Sequence, residues 1–230
     1  MNSEASAFRE LSRVAFPFEF CALRYLLLWQ GKEAAMHISV KKARPDLNKL
    51  REALRHFQVA RNFRGLEQDK KAESVRDALL HIRANGALSA EAKVESLAEA
   101  FRDRGFQCNR SASSKLLWLS LRKPFIIYDS RSLLALQRMS PDSAKETGYE
   151  AFCASWREVY KSHNEAILRA VNELPKVFSF LPGATLPNTH TRLLALVNKP
   201  WFRERVFDIH LWESGSAEIR RMRSTTGRKT

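Results

Sequence analysis

Lys115 and Asp129 are the two residues of this chain whose types and spacing could make and break a covalent bond. They lie in the run Ser111-Ala-Ser-Ser-Lys115-Leu-Leu-Trp118-Leu-Ser-Leu-Arg-Lys-Pro124-Phe-Ile-Ile-Tyr128-Asp129-Ser-Arg131. A lysine amine relieved of its proton is a carbon nucleophile, and a neighbouring carboxylate can take that proton and stabilise a developing cation. Ser111 or Ser113 is the natural N-cap of a helix that Leu116, Leu117, Leu119 and Leu121 would anchor in a core. Lys115 then falls in the first turn, where the helix dipole disfavours an ammonium group, so helix stability does not explain it. Pro124 ends the helix, Phe125 to Tyr128 read as extended, and Asp129 stands where the next helix begins, again as an N-cap. Arg131, in the first turn beyond, could pair with Asp129 or meet a phosphate.

Other chemistries find little support. The 8 glycines are scattered and none belongs to a phosphate-cradling loop, and no serine sits in a Gly-x-Ser-x-Gly elbow. The 6 histidines fall at 37, 56, 81, 163, 190 and 210, without metal-ligand spacing, so no metal and no cofactor is expected. Cys21, Cys108 and Cys153 make an odd set with no Cys-x-x-Cys pair and read as free thiols in a reducing cytoplasm. The start, Met1-Asn-Ser-Glu4, is unlike a signal peptide, and the apolar stretch from Phe16 to Trp29 is too short to span a bilayer, so no membrane partner is expected. Lys and Arg number 39 against 25 Asp and Glu, a formal +14, and that excess points to a polyanion, with nucleic acid the first choice and DNA the first form of it.

The elements that must position the pair are helical almost throughout, and no convincing sheet is present. A helix from Phe18 to Trp29, apolar nearly all round, would lie in the middle of the fold. Pro45 opens a helix carrying Leu47, Leu50, Leu54 and Phe57, with Arg51 and Arg55 (and Arg61 and Arg64 after it) forming a basic outer face. A charged helix over Glu67 to Ile82 stops at Asn85-Gly86, and Ser89 caps another that Gly105 closes. Tyr149, Phe152, Trp156, Tyr160, Ile167, Val171 and Leu174 mark a long helix stopped by Pro175, and Val177 to Leu181 could be a short extended piece. Thr189 caps a short helix, and Pro200 opens a last one ended by Gly215. The expectation is an all-α domain over 1–215 in two lobes, the one bearing the motif covering roughly 45–145, followed by a basic mobile tail over 216–230.

A lysine on one helix, then a proline, an apolar extended stretch and an aspartate opening the next helix resembles the helix-hairpin-helix DNA glycosylases, in particular their 8-oxoguanine branch. The resemblance covers residues 105–140 and is closest from Pro124 to Asp129. It implies two helical lobes with a cleft that receives a flipped base, Lys115 as the nucleophile on the sugar C1′, and Asp129 as support for the oxocarbenium-like transition state. Trp118 or Tyr128 would stack on the base, and Arg110, Arg131, Arg51 and Arg55 would meet the nucleic acid. The family's Leu-Pro-Gly-x-Gly hairpin has no counterpart here, for Gly105-Phe-Gln-Cys-Asn-Arg110 stands in its place. Lys115 also lies about one helical turn nearer Asp129 than the family's lysine does. Those two departures keep open a second reading, a non-catalytic helical module that binds nucleic acid or a protein partner. Some glycosylase-like proteins of this divergent kind also resemble accessory components of bacterial antiviral defence.

Overall fold

A computed structural model describes residues 16–140 and 148–226, with no side-chain description beyond residue 220. The chain is all-α, and no strand occurs among the described residues. In order come α1 (Phe18–Leu28), a π-helical turn (Trp29–Glu33), α2 (Ala34–Val40), α3 (Leu47–His56), α4 (Asp69–Ala84), α5 (Ala90–Asp103), α6 (Arg110–Leu121), α7 (Ser130–Met139), α8 (Tyr149–Glu173), α9 (Thr189–Val197) and α10 (Pro200–Thr226). Short 3-10 segments cover Ala60–Asn62 and Leu174–Phe180. The opening residues of the chain and residues 227–230, on which the signal-peptide expectation and part of the tail expectation rest, lie outside the described residues.

Two compact units divide the chain. One comprises Leu27–Ser130 with Ser140–Arg157, and the other comprises the residues up to Leu26, Arg131–Met139 and those from Glu158 onward. The first unit is assembled around α6. Every residue from Ala112 to Ser120 is buried, and α2, α3, α4 and α5 all pack on this helix. Small Ser and Ala side chains on its first half let neighbours approach closely, while Leu116, Leu117 and Leu119, each fully buried, contribute roughly 1.5–3 kcal/mol apiece. Around it, Asp46 caps α3 by accepting from the Lys49 amide at 2.9 Å. Ser89 caps α5 by accepting from the Ala92 amide at 3.1 Å, and Val94, Leu97, Ala98 and Phe101 form the buried stripe of that helix.

Several local expectations need correction. Asn109, rather than Ser111 or Ser113, caps α6, accepting from the Ala112 amide at 2.9 Å. The helix therefore starts earlier, Lys115 lies in its second turn, and the dipole field has largely faded there. Leu121, expected in the core, is exposed at the helix end. The helix at Phe18 is one-sided rather than buried all round, since Cys21, Ala22, Tyr25 and Leu26 are buried while Phe20 and Leu27 face outward. Burial pushes the Cys21 thiol up to about 12. The stretch around Val177 is 3-10 helix rather than extended, because Pro175 at its first turn sets a helical φ.

The largest correction concerns Gly215. It does not end the last helix, which continues to Thr226, so the tail expected to be mobile from residue 216 is helical over its first part. Its turns are held by Ser216, which donates to the Trp212 carbonyl at 2.6 Å, and by an ion pair between Arg138 and Glu218. A Cβ on Gly215 would fall 2.6 Å from the carbonyl carbon of Arg131 and closer still to its oxygen. The glycine is present so that α10 can lie against the main chain at the start of α7.

One half-buried and one buried imidazole, His37 and His210, make the stability of the protein depend on pH. Burial holds His37 below its ordinary value, outweighing the opposing pull of its contact with the Leu119 carbonyl at 2.6 Å. Burial does the same at His210, whose Nδ1 sits 2.8 Å from the Phe16 carbonyl. Both groups take up protons more readily in the unfolded chain. Their contribution is thus complete above about pH 6.5 and is lost as pH falls through the depressed folded values. The urea midpoint is expected to fall between pH 7 and pH 5.5, and a His210→Gln variant should show a shallower fall.

Candidate functional site

Lys115 is 4% exposed, and its ammonium nitrogen stands 2.8 Å from Asp129 Oδ2 and 2.8 Å from Ser111 Oγ, donating to both. Ser111 lies one turn back on the same helix, so the i, i+4 spacing stacks it on Lys115. The Asp129 side chain is 17% exposed and Ser111 is half-buried, so the amine is covered by protein while its two partners reach the surface. The pairing of Lys115 with Asp129 expected from the sequence is therefore present in the geometry.

Asp129 is placed by the extended stretch before it, which has no sheet to join. The Ile126 amide and carbonyl and the Tyr128 amide are satisfied by side chains instead. Tyr149 at the start of α8 donates its hydroxyl proton to the Ile126 carbonyl at 2.7 Å and accepts from the Ile126 amide at 3.0 Å. Ser114 Oγ accepts from the Tyr128 amide at 2.9 Å and donates to the Ser111 carbonyl at 3.2 Å. The stretch is thus fastened to α6 one residue from Lys115, and Phe125, Ile126 and Ile127 bury their side chains beside it. Desolvation raises the Tyr149 phenol well above its ordinary value, so it stays a neutral donor. Sequence reasoning missed Ser111, Ser114 and Tyr149 as positioning residues. The one local signal was a serine immediately before the lysine and another four residues before it.

Removing the Tyr149 hydroxyl leaves the Ile126 amide without its acceptor and the Ile126 carbonyl without its donor at once. Tyr149→Phe is expected to cost about 2–4 kcal/mol, read as a lower midpoint in urea, and to reduce any chemistry that depends on Asp129.

The remaining site residues expected from the sequence are engaged by neighbours of their own. Trp118 is 2% exposed and lies in the core around α6. Tyr128 packs edge-on against Phe152 with centroids 4.9 Å apart, beside the fastened stretch. Arg110 places Nε 2.7 and 2.8 Å from the two carboxylate oxygens of Glu95 on α5, an exposed pair. Arg131 belongs to the second unit, with its guanidinium carbon 4.6 Å from the Trp212 ring centroid and Nη1 3.3 Å from Ser216 Oγ. Arg51 is 7% exposed and holds the loop after α3, donating to the carbonyls of Leu66 and Glu67, to Asn48 Oδ1 and to Asp69 Oδ1. Arg55 pairs with Glu67 through one Nη2 at 2.6 and 2.7 Å. Arg51 and Arg55 of the expected basic face are thus engaged within their own unit, while Arg61 and Arg64 after α3 are exposed.

Among the described residues no group of three or more His, Cys, Asp or Glu could hold a metal ion, and no helix is long and apolar enough to cross a membrane. Compared with protein-family models, with curated proteins and with solved structures, the chain matches none.

Proposed function

We propose that this protein acts on nucleic acid as an 8-oxoguanine DNA glycosylase-like enzyme, with Lys115 as its nucleophile and Asp129 as its proton acceptor. The observation that carries this reading is the buried amine held 2.8 Å from a partly exposed carboxylate. Asp129 takes a proton from the Lys115 ammonium, and the freed lone pair forms a bond to the sugar C1′. The bond from C1′ to the base nitrogen breaks, its electron pair leaves with the base, and the proton on Asp129 passes to that base. A second amine proton moves to the ring oxygen as the C1′–O4′ bond opens, and the third stays on nitrogen, leaving a protonated imine between Lys115 and the sugar. Ser111 Oγ holds the amine during its approach.

A purine reaches a covered amine of this kind by leaving the stack, since no base inside a duplex presents its C1′ to a side chain. The formal +14 supports a phosphate-rich substrate. The second reading keeps nucleic-acid binding and removes the chemistry, and the glycine-poor Gly105–Arg110 stretch favours it. Borohydride trapping on oligonucleotides carrying 8-oxoguanine or an abasic site separates the two. A covalent adduct supports the enzyme, whereas binding with neither adduct nor base release supports the module.

A further inference from the structure

A group of cations lies at the opposite end of α6 from its cap. There the C-terminal ends of α2, α4 and α6 meet within one unit. Arg83, from the last turn of α4, donates to the carbonyls of Val40, Lys41 and Lys42 at 3.1, 3.2 and 2.9 Å and to Ser120 Oγ at 3.0 Å. These four bonds fix the turn after α2 against α6. Arg122 follows α6 with φ 61°, a conformation costly for a residue with a Cβ, and its guanidinium carbon lies 4.6 Å from the Trp29 ring centroid. Trp29 itself is set by the π-helical turn, a device that commonly re-aims side chains at functional positions. His37, between them, feels both Arg122 and Lys41 as cations that disfavour its own charge.

The side chains of Lys41, Lys42 and Arg44 are exposed and make no ion pair or hydrogen bond with any described residue. Of the acids near them in the chain, Glu33 is fully buried and faces His56 at 3.1 Å, and Asp46, two residues beyond Arg44, is exposed with its carboxylate accepting from the Lys49 amide at 2.9 Å. Cations at helix C-termini are favoured by the dipole, which accounts for their presence near the last turns. Arg83 caps the free carbonyls at the end of α2, and neither effect accounts for the Arg122 guanidinium stacked on Trp29 from a backbone with positive φ.

We propose that Lys41, Lys42, Arg44 and Arg122 form a phosphate-binding ledge for the sugar-phosphate backbone of a nucleic-acid strand, with Trp29 positioning Arg122. The ledge supplies a grip on the backbone from the far end of the helix that carries Lys115, and it rests on the reading that nucleic acid is the partner. A turn whose carbonyls are held by Arg83 and a guanidinium stacked on a ring suit phosphate because the main chain needs no reordering on binding.

The test is fluorescence anisotropy of the full chain with an unmodified oligonucleotide across a salt series. The triple variant Lys41→Gln/Lys42→Gln/Arg44→Gln is compared with a charge-matched control, Arg61→Gln/Arg64→Gln/Lys70→Gln, whose three exposed cations lie elsewhere in the same unit. The ledge variant is expected to bind about tenfold or more weakly near 0.1 M salt, with the slope of log K against log salt reduced by roughly 2–3, while the control shifts about twofold. Trp29→Ala should weaken binding by several-fold as Arg122 is released. Equal losses in both triple variants, or a ledge variant that binds like the unmodified chain, overturns the ledge. Oligonucleotide binding through the ledge without any Lys115 adduct keeps the ledge and removes the glycosylase reading. An adduct formed by a ledge variant with unchanged affinity does the reverse.

Discussion

Lys115→Ala is expected to abolish borohydride-trapped adduct and to lower base release by about 10³-fold or more, the scale on which loss of a nucleophile is felt. The variant also takes the Lys115 cation away from the Asp129 carboxylate. Breaking a buried pair costs about 3–5 kcal/mol, and the 17% exposure of Asp129 puts this case toward the lower end. A loss of activity alone could thus come from damage to the fold. The double variant Lys115→Met/Asp129→Leu answers this, since replacing both charges with apolar groups of similar size is often neutral for stability. It should regain the urea midpoint and still form no adduct. Asp129→Asn separates the roles further. It keeps a hydrogen-bond acceptor near Lys115 but cannot take a proton, so the adduct should form slowly rather than vanish. Base release by Lys115→Ala at the rate of the unmodified chain would instead leave Asp129 and a water as the catalysts and remove Lys115 from the mechanism.

Gly215→Ala is expected to destabilise the protein by about 2 kcal/mol or more, opposite in sign to the usual effect of this change. In an exposed helix interior, glycine to alanine is worth about 1 kcal/mol of added stability. Here the new methyl group would meet the Arg131 carbonyl carbon at 2.6 Å, and a backbone group cannot rotate aside as a side chain does. Gly31, in the π-helical turn, is the matched control because a Cβ there meets nothing within 4 Å. Gly31→Ala should be neutral or stabilising by up to about 1 kcal/mol. Thermal and urea unfolding of the two variants side by side gives the comparison, and equal behaviour would show that the Arg131 main chain does not press on α10 at Gly215.

These two cases mark how far the sequence could be read. The all-α class followed from helical periodicity, and the cap at Ser89, the stop at Gly105 and the long helix over Tyr149–Glu173 followed from local rules that act within a few residues. The order of lysine, extended stretch and aspartate was legible for the same reason, because Pro124 interrupts α6 and Asp129 directly precedes α7. Local rules then failed wherever a distant segment decided the matter. Gly215 reads as a helix stop until Arg131, far away in the chain, occupies the space its side chain would fill. Arg51 and Arg55 read as a solvent-facing basic stripe until the loop after α3 folds back to receive them. Ser114 and Tyr149 carry no motif, because their task is to satisfy peptide groups that only the folded chain brings within 3 Å of them. Periodicity and capping are properties of neighbours along the chain, so the sequence by itself determined the helices and the order of the candidate residues. Burial, ion pairing and close backbone approach are properties of neighbours in space, and the tertiary structure alone decided which cations are spent internally, which project from the surface, and how the Lys115 amine comes to face a carboxylate.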